Sequence, residues 1–246
     1  MYASATKKYV SNLIMGKRSC RLWVGACLFI LSPGGRSWAA WTEPTPSTGE
    51  TTITSDEMEL IHNGGETIFT GHVILIRPPY QMKADRMIRY KETGIVEAEG
   101  NVIGTWDKPT GERVEAVGAY ARYTPQAQTT ELWGAARLSH WDNATDPTPL
   151  IVTAERFVAH HDTEIVDGET HVFFRRGTSF QAHSDRAQFD GKGQVLNLWG
   201  TQQTDTLWAD PRGSGRFLSD RVLLYLSPRR ARLLDHVTGH VIPTPQ

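Results

Sequence analysis

The sequence repeats itself along most of its length, and a repeated chain folds into similar units that stack on one another. In the two clearest copies, Asp56 lies as many residues before Gly71 as Asp85 lies before Gly100. Those copies contain ITSDEMEL and TGHV, at 53–60 and 70–73, and MKADRMIRY and EGNV, at 82–90 and 99–102. Four weaker copies pair 117–120 with 132–134, 154–157 with 169–172, 184–187 with 198–200, and 219–222 with 238–241. The separation between copies varies, so the identical rungs of a strict solenoid are not expected.

Each copy has the composition of two β-strands joined by a turn. The segments KETG at 91–94 and DGKG at 190–193 are typical turn sequences. The segments 81–90 and 95–104 are rich in β-branched and apolar residues that partly alternate. Amphipathic helices are not convincing anywhere after residue 40. The chain is therefore predicted to be all-β, with about twelve or more short antiparallel strands in a meander.

Each copy has a marker residue that corresponds to Asp56 and Asp85, and a second marker that corresponds to Gly71 and Gly100. The residues two positions after these markers form two columns of side chains. Because side chains alternate across a strand, positions that share an offset are predicted to share a face. The first-strand column is Met58, Met87, Tyr120, Phe157, Ala187 and Val222. The second-strand column is Val73, Val102, Ala136, Val172, Gln202 and Val241. These columns predict either a plain sandwich core or an apolar trough for acyl chains, whose burial contributes about 0.8 kcal/mol per CH₂.

Arginine recurs one position after the same markers, at Arg86, Arg156, Arg186 and Arg221. In a structural interpretation, each arginine pairs with acidic residues on neighbouring strands, and such exposed pairs contribute about 0.2–1 kcal/mol. In a functional interpretation, the arginines contact phosphate at the rim of the trough, because a guanidinium group binds phosphate in a bidentate way. The sequence leaves both interpretations open.

The first 39 residues are predicted to be a secretory signal peptide. A basic start at 15–18 precedes an apolar run at 22–31, and small residues at 37–39 favour cleavage after residue 39 or 40. The run is shorter than the ~20 residues that span a bilayer. Met15 is an alternative start, and an uncleaved anchor or lipidation at Cys27 are alternative fates. Residues 40–50 are predicted to be a linker, and 51–243 an exported β-domain.

Several classes of function find no support in the sequence. Residues 1–39 hold six basic and no acidic residues, so the chain's 26 basic and 27 acidic residues leave 20 and 27 beyond them, a formal charge of −7. That balance argues against nucleic-acid binding, which needs clustered positive charge. Both cysteines, Cys20 and Cys27, lie in the predicted signal. Standard catalytic motifs are absent, and His160 and His161 match no zinc spacing, so we expect no enzyme activity, cofactor or metal.

A resemblance to a known family follows from three segments. ITSD at 53–56, TIFTGHVIL at 67–75, and MKADR at 82–86 followed by VEAEGNV at 96–102 resemble the OstA-like family. That family contains the periplasmic lipopolysaccharide transport protein A and the N-terminal domain of the outer-membrane transport protein D. The resemblance is strong over 51–105 and weaker to about 243, and the cleavable signal makes the chain most like protein A.

The resemblance implies a twisted, open β-jellyroll that carries lipopolysaccharide between the inner and outer membranes. Edge strands would pair with other jellyrolls of the transport bridge, or head to tail with further copies of this chain. Lipid A acyl chains would lie in the trough, against Met58, Met87, Tyr120, Phe157, Val222, Val73, Val102 and Val172. The alternatives are an adaptor jellyroll that binds no lipid and a membrane-anchored component like transport protein C.

Overall fold

A computed structural model describes residues 9–14, 50–107, 111–142, 148–226 and 229–243 of the chain. These residues form one antiparallel sheet of fifteen strands, in which almost every strand pairs with the next along the chain. The strands are β1 (Tyr9–Ile14), β2 (Glu50–Ser55), β3 (Glu57–Ile61), β4 (Glu66–Arg77), β5 (Tyr80–Tyr90), β6 (Val96–Asp107), β7 (Arg113–Thr124), β8 (Thr129–Trp141), β9 (Leu150–His160), β10 (Ile165–Arg176), β11 (Phe180–Asp190), β12 (Val195–Asp210), β13 (Gly213–Tyr225), β14 (Arg230–Leu234) and β15 (Thr238–Pro243). One short 3₁₀ turn, His62–Gly64, precedes β4. The predicted all-β jellyroll is confirmed.

The sheet has two different ends. At the first end, β1 pairs with β2, and β2 pairs with the C-terminal half of β4. β3 pairs with the N-terminal half of β4. At the other end, β14 and β15 lie one after the other along β13. β1 falls within the predicted signal peptide. The remainder of that signal and most of the predicted linker lie outside the described residues, so the cleavage site stays a prediction.

A β-bulge interrupts every neighbouring strand pair from β4 to β13 at about the same level of the sheet. We call this line the bulge row. In the second copy of the repeat, Gly100 and Asn101 have φ of +75° and +47°. Asn101 Nδ2 also donates a hydrogen bond to Asp85 at 2.9 Å. Because a bulge bends its strand, aligned bulges fold the sheet along one line into two layers. The marker Asp and Gly of the repeat are therefore residues of this bend.

The side chains between the layers form a single apolar core. One line of cross-strand partners, the first inner row, crosses the whole sheet beside the bulge row. It consists of Met58, Phe69, Met87, Ala98, Ala121, Leu132, Phe157, Gly168, Ala187, Leu198 and Val222. Most of its larger members are well buried, with Met87 1% and Phe157 3% exposed, while Met58 is partly buried. The first-strand column of the repeat corresponds to this row at five of its six positions.

The sixth position, Tyr120, departs from the expected column. Ala121 is the residue that pairs with Ala98 and Leu132, while Tyr120 lies on the outer face, 42% exposed. In β7 the residue that corresponds to Asp85 is Ala119, whereas the repeat placed this marker at Gly118, one residue earlier. Because side chains alternate, an error of one residue moves a side chain to the opposite face.

Candidate lipid-binding interior and sheet edges

The structure brings seven of the eight expected trough residues into one interior. Four of them, Met58, Met87, Phe157 and Val222, lie in the first inner row, and Tyr120 is the residue left outside. The other three lie across the bulge row, in the second layer. There a second inner row pairs Val73 with Ala84, Val102 with Gly118, Ala136 with Ala154, Val172 with Ser184, and Thr204 with Ser219.

The interior is tightly packed. Val73 and Val222 are 0% exposed, and Val102 and Val172 are each 1% exposed. Seven of the buried core residues are alanines, namely Ala84, Ala98, Ala121, Ala136, Ala154, Ala182 and Ala187. Such small side chains contribute less apolar burial than leucine or phenylalanine in the same place. Because the inner side chains are already packed against one another, an acyl chain could lie between the layers only after the layers have moved apart.

A third inner row lies two residues further along the strands of the second layer. It consists of Leu75, Met82, Gly104, Ala116, Leu138, Val152, Phe174, Ala182, Thr206, Phe217 and Gly239. The row is apolar until β12, where Thr206 is 1% exposed. Thr204, in the second inner row of the same strand, is 0% exposed. The column of the repeat names Gln202 for this strand. β12 resumes its pairing only at Thr204, because its bulge is longer than the others.

The four expected arginines lie on the outer face rather than between the layers. They share one cross-strand row, which reads Thr70, Arg86, Glu99, Tyr120, Trp133, Arg156, Glu169, Arg186, Trp199 and Arg221. Arg156 donates hydrogen bonds to Glu131 at 2.7 Å and Glu169 at 3.4 Å, and the bond to Glu131 is the main reason that the pKa of Arg156 is raised. Arg86 lies 3.5 Å from Glu99. These pairings favour the structural interpretation for Arg86 and Arg156. Arg221 donates a hydrogen bond of 2.7 Å to Asn197, which is a neutral side chain.

A cluster of charged residues ties the two layers together along one side, and we call it the seam cluster. It consists of Glu112, His140, Asp142, Arg176 and Arg229. Arg176 and Arg229 each donate a hydrogen bond of 2.8 Å to Asp142. His140, a buried side chain, is 3.0 Å from Glu112. Burial raises the pKa of Asp142, but the hydrogen bonds from the two arginines outweigh it, and the pKa is lowered. The cluster holds the end of β8 against the turn before β14.

The histidine pair at the end of β9, in which His160 is the last strand residue and His161 follows it, has structural contacts. The ring of His161 lies 5.9 Å from that of Tyr123 and 6.4 Å from that of Tyr80, and its Nε2 is 2.7 Å from the Thr130 hydroxyl. Burial lowers the pKa of His161. His160 lies 3.3 Å from Asp167. Within the described ranges, no group of three histidine, cysteine or acidic side chains could hold a metal ion.

The last edge of the sheet is apolar and exposed. All six residues of β15 are exposed, with Val241 at 59% and Ile242 at 69%. By its pairing with Gly215, Val241 lies on the inner face, at the open end of the interior. An edge strand leaves one side of its backbone unpaired and can accept a strand from another chain. In the part of the chain that the structure describes, no helix is long and apolar enough to cross a bilayer.

Comparison with known proteins gives one family match. The family model described as "LptA/(LptD N-terminal domain) LPS transport protein" matches residues 52–222. Among solved structures, the chain is similar to LptH of Pseudomonas aeruginosa, described as the LptA homologous periplasmic component of the conserved lipopolysaccharide transport device. The two share 15% identity with a TM-score of 0.42, over 48% of this chain and 81% of the other. No curated protein matches the sequence.

Proposed function

Because the chain belongs to the LptA/(LptD N-terminal domain) lipopolysaccharide transport family, we propose that it is a periplasmic carrier, not an enzyme, that binds lipopolysaccharide between its two layers and bridges the inner and outer membranes. The observation that carries this proposal is the continuity of the inner rows. Apolar side chains run from β3 at one end of the sheet to β13 near the other. Acyl chains that lay along these rows would stay out of water over the whole length of the domain.

Lipid binding requires the layers to separate, because the inner rows are packed against each other. Each acyl CH₂ that leaves water contributes about 0.8 kcal/mol, so a chain of a dozen carbons contributes on the order of 10 kcal/mol before the work of opening. That work includes the loss of contacts such as those of Met87 and Phe157, both at most 3% exposed. Each further acyl chain adds to this gain and so acts against the work of opening.

Bridging would use the two edges of the sheet. An incoming strand would add to β15, or to β2 once β1 has been removed with the signal peptide, by backbone hydrogen bonds. The partner would be another jellyroll of the transport bridge or a second copy of this chain in head-to-tail order. A variant with a charge on the exposed edge, Ile242→Lys, would weaken this association without touching the core.

Photocrosslinking in cells tests the lipid site. Crosslinkers at Met87, Phe157 and Val222, which lie in the first inner row, are expected to capture lipopolysaccharide. The matched controls are Ile88 and Val158, one residue further along β5 and β9 and so on the outer face. Capture only from the two controls would overturn the proposal.

A second candidate is an adaptor jellyroll that binds partners by its edges and no lipid. The close packing of the interior favours it, since Val73 and Val222 are 0% exposed. The two candidates differ in what co-purifies with the protein. The carrier is expected to yield lipid A by mass spectrometry after gentle extraction. The adaptor would yield none while still retaining an inner-membrane partner. An uncleaved signal, detected by N-terminal sequencing, would favour a membrane-anchored component instead.

A further inference from the structure

We propose that Thr204 and Thr206 form a polar site inside the β12–β13 end of the core, where their hydroxyl groups donate hydrogen bonds to the carbonyl oxygens of ester- or amide-linked acyl chains. The site rests on the proposed lipid-carrier function and specifies how the lipid is oriented. Hydrocarbon would lie along the apolar rows of β4 to β11. The acyl linkages would lie at β12, near the open end marked by Val241.

The first observation is burial without a partner. The Oγ1 atoms of Thr204 and Thr206 are completely buried and have no hydrogen-bond partner among the described residues. Buried hydroxyl groups are normally hydrogen-bonded, and one left unpaired destabilises the protein. Two unpaired hydroxyl groups on one strand therefore indicate that something else supplies an acceptor.

The second observation is the position of the two hydroxyl groups. Thr204 and Thr206 are two residues apart on β12, so both face inward, about 7 Å from each other. Thr204 pairs with Ser219, and Thr206 pairs with Ala182 and Phe217. The Ser219 hydroxyl, in contrast, already donates a hydrogen bond of 3.3 Å to the Arg221 carbonyl. Of the described residues in this part of the interior, the two threonines are the ones whose buried hydroxyl groups lack a partner.

The third observation is the change in chemistry along the inner rows. The corresponding positions of earlier strands are Val102, Ala136 and Val172 in the second row, and Leu138, Val152 and Phe174 in the third. Among the described strands, β12 is the one with hydroxyl groups at both levels. Ser184 and Ser219 also lie in the second row, but each already donates a hydrogen bond to a backbone carbonyl. An acyl lipid has the same gradient, from hydrocarbon to a carbonyl group where the chain joins its head group. From β4 to β12, the gradient of the interior matches that of the lipid in one orientation. At the opposite end of the sheet, Thr51 of β2 also has a buried hydroxyl group without a partner among the described residues.

The test replaces both threonines with valine, which keeps the shape of the side chain and removes the hydroxyl group. Thr204→Val/Thr206→Val is expected to bind lipid A about tenfold more weakly, because each lost hydrogen bond reduces affinity several-fold. Thr204→Ser/Thr206→Ser keeps both hydroxyl groups and is expected to bind within about twofold of the parent. Thr153→Val, on the outer face of β9, is the matched control and should leave binding unchanged.

A spectroscopic measurement separates hydrogen bonding from packing. With ¹³C-labelled acyl carbonyl groups, the infrared carbonyl band of bound lipid A is expected at lower frequency in the parent protein than in the double valine variant. Equal affinity and equal band positions would overturn this site and leave the carrier function intact, with water as the partner of the two hydroxyl groups. A parent protein that binds no lipid A would overturn the carrier function itself. Circular dichroism confirms that each variant is folded.

Discussion

The Asp142 carboxylate accepts a hydrogen bond of 2.8 Å from Arg229, although 87 residues separate them in the sequence. Asp142 directly follows β8, and Arg229 directly precedes β14, so this contact joins strands that are far apart in the sheet order. It belongs to the seam cluster, which closes one side of the interior. Any opening of the layers on that side must break it.

Asp142→Asn is therefore expected to destabilise the protein. The amide keeps the size of the side chain but loses the charge that pairs with Arg176 and Arg229, a loss of about 1–2 kcal/mol at a partly buried site. Urea unfolding followed by circular dichroism measures the change. The control is Asp162→Asn, in the exposed turn after β9, which should change the unfolding free energy by less than about 0.5 kcal/mol. Equal effects of the two substitutions would contradict the role given to the seam.

The parent protein and Asp142→Asn should also differ in how their free energies of unfolding depend on pH. The pKa of Asp142 is lowered by its arginine partners, in spite of burial, which acts in the opposite direction. The stability from this carboxylate is therefore present above its unfolded pKa of about 3.8 and is lost as pH falls through the lower folded value. The stability difference between the parent and Asp142→Asn should be constant near pH 7 and shrink below pH 4. A difference that grew with acid would be inconsistent with the lowered pKa.

The repeat predicted the strands, and it located the inner face at Met87, Phe157 and Val222. It failed where a bulge changed the count. Tyr120 faces outward because the marker of β7 lies one residue later than expected, and Thr204 faces inward because the bulge of β12 is longer than the others. The lengths of bulges are set by backbone geometry, which the residue pattern does not reveal. The repeat also could not predict the contact of Asp142 with Arg229, because that contact depends on how the two layers cross.

Gly100, in the bulge of β6, gives a direct test of the bend. Gly100 has φ of +75°, and a Cβ atom placed there would lie 2.4 Å from an Asp85 oxygen. Gly100→Ala is therefore expected to cost about 1–3 kcal/mol through backbone strain and steric overlap. Gly104→Ala, four residues further along β6, is the control, since its nearest contact would be an ordinary 3.9 Å to the Ala116 Cβ. Thermal unfolding should separate the two variants by several degrees, and equal melting temperatures would argue against a strained bulge.

Two histidines, His72 on the bulge row and His236 between β14 and β15, should have pKa values above the usual range. His72 donates a hydrogen bond of 2.7 Å to Asp56, and His236 donates one of 2.6 Å to Asp220, and each bond raises the pKa of its histidine above 6.5. Their contribution to stability is complete below pH 6.5 and is lost as pH rises through the folded pKa. NMR titration of the imidazole carbons measures both values. Asp56→Asn should return the pKa of His72 towards 6.5 and leave that of His236 unchanged; parallel changes in both would mean that the pairing is not the cause.

Met87 and Tyr120 provide the sharpest test of the register that the structure assigns. Met87 is 1% exposed in the first inner row, so Met87→Ala should leave a cavity and destabilise the protein by about 2–5 kcal/mol. Tyr120 is 42% exposed and stacks on Trp133 with ring centroids 5.7 Å apart, so Tyr120→Ala should cost only about 0.5–1.5 kcal/mol. Chemical denaturation of the two variants under the same conditions gives the comparison. If Tyr120→Ala lowered the free energy of unfolding more than Met87→Ala did, the Tyr120 side chain would belong to the core. Gly118 would then be the marker of β7, as the repeat predicted.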